Sequence, residues 1–305
     1  MASSKSLTLY TLPLTAEQED ALADWCETHG WTFYEVAYAS YAYRGEDVNV
    51  VVYKSGKLVV QGKQTEAFIL NVLEPNITKK LHFGLEKIEH PEWFRPHAGL
   101  DESGKGDVFG PLVTACVIAD EEAVDFWLKN DLKESKSIGS DERLFETEKL
   151  VRQPKNVVIE VAFADMEKYN ALYWQFGNLN ELLAWFHAQA LQNALKRRSV
   201  KEGLLDQFCK AKLVQKYLKQ DGFSGKFILQ QRVRAESDPV VAAASVIARA
   251  TYVRQLKQLS DEAGIVLPKG AGGNVKTALR SLIEQQGRDN LPKFCKMHFK
   301  TVSEV

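Results

Sequence analysis

The stretch AGLDESGKGDVFGPL, residues 98–112, places two adjacent carboxylates, Asp101 and Glu102, at the end of an apolar strand, with Gly104, Gly106 and Gly110 close behind. Acids at a strand end beside permissive backbone suit a hard cation, because Mg²⁺ and Mn²⁺ take oxygen ligands and keep waters and a substrate phosphate. Adjacent strand residues point to opposite faces, so the pair shares a site only where the strand ends or bends, which the glycines allow. The bland alternative for such a pair is an acidic turn in solvent. Gly104 and Gly106 also let backbone N–H groups approach a ligand, and Lys105 between them adds charge for a phosphate. The spacing G-x-G-x-x-x-G is no dinucleotide fingerprint, and no Walker GK[ST] follows it.

Working outward, the apolar run PLVTACVIA (111–119), a helix near 121–129, the strand VVIEVAFA (157–164) and NLNELLAWFHAQALQNAL (178–195), apolar at helical spacing, predict an α/β core. Upstream, SLTLYTL alternates like a strand, and Thr15 with Gln18 forms a capping box for a helix that Gly30 can end. Three β-rich runs (FYEVAYASYAY, DVNVVVYK and KLVVQG) and a helix from about Thr65 to Leu73 complete a β-α-β-β-β-α module. With no cluster of His, Cys and acids, it reads as a binding module. Its tyrosines divide between two period-2 faces, Tyr41 with Tyr43, and Tyr34 with Val36 and Tyr38. Either set can stack on sugars or bases, and the face with Val36 better suits a sheet core. The expected organisation is an N-terminal substrate-binding domain at 1–80, a linker at 81–95 and a catalytic domain at 96–305.

A net charge of −1 hides an asymmetry: residues 195–301 hold 21 Lys and Arg against 9 Asp and Glu. Such a basic half fits a polyanionic partner, although solvated helix faces such as KRRSVKE explain part of it. No stretch approaches the roughly 20 apolar residues of a membrane span. Cys26, Cys116, Cys209 and Cys295 are widely spaced with no CxxC pair, which argues against a zinc site or a disulfide framework and for a reducing cytoplasm.

DESGKGDVFGPLV resembles the signature of type 2 ribonucleases H, and the chain as a whole is most similar to the ribonuclease HIII branch. LKESKSI (132–138), EKYNALYWQFGNLNELLAWFH (167–187), LLDQF (204–208) and AAASVIARA (242–250) carry the likeness across nearly the whole chain. It implies a ribonuclease H-like α/β catalytic domain, preceded by a small α+β domain resembling half of the TATA-binding protein. The implied activity is endonucleolytic hydrolysis of the RNA strand of RNA/DNA hybrids, with two Mg²⁺ or Mn²⁺ ions held by four acids; nothing in the sequence points to an obligate dimer, and a monomer is expected. Asp101, Glu102 and Asp206 match the family's positions. The fourth acid is expected ten residues before the Ser of Ala-Ala-Ser, where Ala235 stands, and the neighbouring Glu236 is the choice. Asp238 competes, but Asp followed by Pro239 is already explained as a helix N-cap. By the same resemblance, Ser103, Gly104, Lys105 and Gly106 contact the ribose 2′-OH. Lys136 in ESKSI reads either as a contact to the scissile phosphate or as an exposed loop lysine. Lys105 departs from the small uncharged residue frequent in ribonuclease HIII and is similar to the Gly-Arg-Gly of ribonuclease HII. Cleavage at single ribonucleotides embedded in DNA is therefore an alternative, and a non-catalytic hybrid-binding protein is another. His187 reads as packing or polar support on its helix, and Arg254 either as a contact to nucleic-acid backbone or as part of a solvated helix face.

Overall fold

The computed structural model describes residues 7–79, 86–132, 138–209, 212–220 and 227–305 of the chain, and no helix among them is long and apolar enough to cross a membrane. Two compact units emerge, Met1–Glu92 and Trp93–Val305.

In the first unit, the capping box of Thr15 and Gln18 starts helix α1 (Ala16–Thr28), which follows strand β1 (Leu9–Pro13). Strands β2 (Thr32–Phe33), β3 (Ala39–Arg44), β4 (Val48–Tyr53) and β5 (Lys57–Gly62) complete an antiparallel sheet in the order β1-β5-β4-β3-β2. Helix α2 (Thr65–Phe68) runs on into a π-helical segment, Ile69–Thr78. That segment carries Pro75, so the helix expected to end at Leu73 continues in a wider winding. Leu22 and Cys26 of α1 and Ile69, Leu73 and Ile77 pack on the side of the sheet that carries Val50, Val52, Leu58 and Val60.

The tyrosine assignment is reversed in the structure. Tyr43 is buried and donates to Glu27 Oε1 at 2.6 Å, and Tyr41 donates to the Glu19 carbonyl at 2.6 Å, so this pair belongs to the helix-covered core. Tyr38 is 85% exposed. The cause is local: the chain leaves the sheet between Phe33 and Ala39, Tyr38 takes φ +64°, and the β3–β4 register shifts between Ala39 and Tyr41. A period counted through FYEVAYASYAY as one strand therefore slips.

The first unit ends with the short helix α3 (Glu86–Glu89), and the second is built on a five-stranded sheet of order β10-β9-β6-β7-β8. Strands β6 (His97–Ser103), β9 (Glu202–Asp206) and β10 (Ile228–Arg232) are mutually parallel, whereas β7 (Val113–Ala119) and β8 (Val158–Ala162) pair antiparallel. β7 is buried along its whole length, as its unbroken apolar run requires of a strand covered on both faces. Helices α4 (Glu121–Lys129), α5 (Asp141–Val151) and α6 (Met166–Phe176) precede the 19-residue α7 (Leu179–Arg197) and the shorter α8 (Leu213–Gln220). The 25-residue α9 (Pro239–Ala263), α10 (Gly273–Gln286) and α11 (Lys300–Ser303) close the chain. α9 packs on the sheet face carrying Ala115 and Val117, and α7 with α8 on the face carrying Leu100, Cys116 and Leu205. Each fully buried Leu, Ile or Val contributes about 1.5–3 kcal/mol.

Candidate active site

β6 and β9 run parallel with Leu100 opposite Leu205, so the next pair along, Asp101 and Asp206, stand side by side at the ends of central strands. Leu100 and Leu205 point into the α7 side, which turns both aspartates toward α9. The first turn of α9 lies hard against β6: a Cβ on Gly99 would come within 2.4 Å of the Val240 backbone. Further along α9, Ser245 hydrogen-bonds the Asp101 carboxylate, and the Glu102 N–H donates to Asp101 Oδ1 at 2.8 Å. Burial and then the charges of Glu102 and Asp206 push the Asp101 carboxyl up to about 8, against the pull of those two hydrogen bonds.

β6 does not bend between its acids but continues to Ser103, so Glu102 points to the α7 side. There its Oε2 lies 3.1 Å from His187 Nε2, and its Oε1 lies 3.9 Å from Lys105 Nζ. Asp206 reaches the segment after β10 by accepting the Ala235 N–H at 3.0 Å, which ties it to the short 3₁₀ turn Ala235–Ser237 carrying Glu236. Asp238 is spent locally. It caps α9 by accepting from the N–H groups of Val240 at 2.8 Å and Val241 at 3.4 Å, and it pairs with buried His97 at 3.1 Å. Burial works against a charged His97 ring, but Asp238 outweighs it and raises the His97 pKa.

The turn after β6 is strongly constrained. Gly104 has φ +84°, and a Cβ there would lie 2.2 Å from the Pro111 carbonyl oxygen and 2.9 Å from the Tyr252 ring. Only glycine fits such a position. Gly106 is different: a Cβ there would meet nothing within 4 Å, leaving open space beside its backbone. Lys105 Nζ sits 5.3 Å from the Phe208 ring centroid. From behind, buried Lys296 donates to the carbonyls of Asp107 at 2.8 Å and of Gly110, and Tyr252 donates to the Phe109 carbonyl at 3.2 Å. Sequence reasoning missed this support, because Lys296 is one of three lysines in PKFCKMHFK (292–300) and nothing in that stretch singles it out.

Lys136 lies outside the described residues. Arg254 is held by Glu148, with Nη2 2.9 Å from Oε1, so its role is an ion pair between α9 and α5. Among the described residues, no three His, Cys, Asp or Glu side chains close into a group around one point, so the acids line a site rather than enclose an ion. The donors are nonetheless all carboxylate oxygens, and the charges of Glu102 and Asp206 both bear on Asp101. Both suit Mg²⁺ or Mn²⁺, which complete their coordination with waters and phosphate.

A sheet with acids on adjacent central strands and a long helix across them defines the class, and residues 98–302 match the family model described as Ribonuclease HII. Relatives extend the likeness over the first unit. Ribonuclease HIII of Chlamydia pneumoniae is 38% identical over 301 residues, covering 97% of both chains. That of Protochlamydia amoebophila is 34% identical over 304 residues, covering 98% of this chain and 97% of its own. Among solved structures, Bst-RNase HIII in complex with Mn²⁺ superposes with a TM-score of 0.64 at 26% identity, covering 97% of each chain. Aquifex aeolicus RNase H3 gives 0.56 at 26% identity, covering 95% of this chain and all of its own. This chain belongs to the ribonuclease HIII family.

Proposed function

We propose that the protein is an endoribonuclease that hydrolyses the RNA strand of RNA/DNA hybrids, with Asp101, Glu102, Asp206 and Glu236 as the acids that hold its divalent metal. The supporting observation is the in-register placement of Asp101 beside Asp206, with the turn carrying Glu236 bonded to Asp206; Glu102, which leaves the unbent β6 on the α7 side, keeps its place in the set from the family resemblance. Bound Mg²⁺ or Mn²⁺ would activate the attacking water and stabilise the leaving 3′ oxygen. The chain's own part is to hold the acids and position the substrate. Unneutralised carboxylates would repel a phosphate, so a purely hybrid-binding role fits the crowded acids poorly.

In this reading Ser103, Gly104, Lys105 and Gly106 contact the ribose and phosphate, the open space at Gly106 leaving room for close backbone approach to the 2′-OH. Lys136 keeps the first of its two sequence-based readings, the contact to the scissile phosphate. The N-terminal domain supplies affinity through the side of its sheet that α1 and the π-helical segment leave uncovered. Across that side the register aligns Thr11, Val59 and Val51 in one row and Leu9, Gln61, Asn49 and Arg44 in the next. A row of small and apolar residues beside a polar, cationic one fits sugar and phosphate contact. The same reading has the protein acting as a monomer in the reducing cytoplasm, where its four free thiols stay reduced.

The test is cleavage of an end-labelled RNA/DNA hybrid beside the same duplex with one embedded ribonucleotide. Cuts throughout the all-RNA strand support the proposal. Cuts at the single ribonucleotide alone would replace it with the ribonuclease HII-like activity that Lys105 suggests.

A further inference from the structure

The Glu102–His187 contact joins residues 85 positions apart and is made by a side chain with no access to solvent. Leu183, Ala184, His187, Ala188 and Leu191 lie along the buried face of α7, so His187 occupies a core position where an apolar residue would cost less. Its ring lies against Phe208 at 5.5 Å with planes 13° apart, and Phe208 stands two residues beyond Asp206. The two ring nitrogens have different surroundings. Nε2 faces the carboxylate, whereas buried Nδ1 has no hydrogen-bond partner among the described residues. A carboxylate oxygen can only accept, so Nε2 carries the proton. A nitrogen that holds a proton toward Glu102 is not a metal ligand, and the other nitrogen is sealed in the core.

We infer that His187 is a positioning residue for Glu102: its Nε2–H fixes Oε2 and leaves Oε1 as the oxygen that binds a cation. The inference rests on Glu102 being a metal-holding acid. Glutamate has three rotatable torsions, and those of Glu102 sit at a strand end directly before the Gly104 turn. A fixed donor beneath it removes that freedom before metal arrives. Partners of this kind, one step behind a metal ligand, typically change metal affinity by about 10- to 100-fold when removed.

Two substitutions separate positioning from packing. His187→Phe keeps an aromatic ring against Phe208 but removes the donor, whereas His187→Gln loses the ring but can present an N–H to Oε2. Mn²⁺ binding to the full-length chain without nucleic acid, read by the EPR signal of free Mn²⁺, is the primary measurement. The inference predicts that His187→Phe weakens Mn²⁺ binding about 10- to 100-fold while His187→Gln stays within about threefold of the parent. The reverse order, with Phe tolerated and Gln impaired, would assign His187 to packing and overturn it. Glu102→Gln is the control: if it leaves Mn²⁺ affinity unchanged, the metal-site reading itself fails, whereas a loss there with no effect of His187→Phe removes only the role of His187. Histidine-selective ¹⁵N spectra of the unsubstituted protein test the geometry even if a variant does not fold. A protected Nε2–H at His187 is required, and an Nδ1–H form would refute it.

Discussion

Replacing Asp238 by Ala removes three acceptor contacts in one step: two to the first N–H groups of α9, and one to buried His97. Loss of an N-cap side chain costs about 1 kcal/mol. Leaving a buried polar group such as His97 without its partner adds about 1–3 kcal/mol. Both losses fall on the 25-residue helix that covers the catalytic sheet, so they are felt globally. A total near 3 kcal/mol lowers Tm by roughly 6–12 °C for a unit of this size. Glu236→Ala touches no cap, so its effect on stability stays below about 1 kcal/mol. Thermal unfolding by circular dichroism and hybrid cleavage at 25 °C, measured on both variants, give opposite patterns. Asp238→Ala unfolds early but still cuts, and Glu236→Ala keeps its Tm and does not cut. An Asp238→Ala protein of unchanged Tm that fails to cut, beside an active Glu236→Ala, would refute the assignment of the fourth acid.

Other consequences follow from the turn and its supports. Gly104→Ala forces a side chain at φ +84° into the Pro111 carbonyl and should cut activity about 100-fold by displacing the turn. Gly106→Ala should leave Tm unchanged and raise KM for the hybrid; an unchanged KM would remove that backbone from the substrate contact. Burial, partly offset by Asp107, holds Lys296 down at about 7, while the unfolded chain keeps the ordinary lysine value. The unfolded state therefore binds more protons between those values, and stability climbs as pH rises through that window. Lys296→Met should flatten the climb, read from urea midpoints at about pH 7 and about pH 9; an unaltered slope would contradict the burial argument. Deleting residues 1–80 should raise KM for a hybrid far more than it lowers kcat, and equal affinity with and without them would count against the binding role.

Features written in adjacent residues were legible from sequence. Thr15 with Gln18 and Asp238 with Pro239 are local capping chemistry, and each forms the bonds its spacing implies. The α/β core followed from the apolar runs around 111–119 and 178–195, and the ribonuclease assignment from the motifs around Asp101, Asp206 and Ser245. The tyrosine faces were misread because periodicity assumes an unbroken strand, and nothing in FYEVAYASYAY announces the left-handed turn at Tyr38. The partners of Glu102 and of the Gly104 turn were illegible for another reason. His187 and Lys296 are single residues that meet them only after α7 and the C-terminal segment have packed, and one isolated side chain leaves no pattern to read.

The most direct test of the central claim is metal-dependent cutting of an end-labelled RNA/DNA hybrid by the unsubstituted protein and by Asp101→Asn. Internal cuts in the RNA strand that require Mg²⁺ or Mn²⁺ and vanish in a folded Asp101→Asn protein are predicted. Cutting that survives either chelation of the metal or loss of the Asp101 charge would contradict the account.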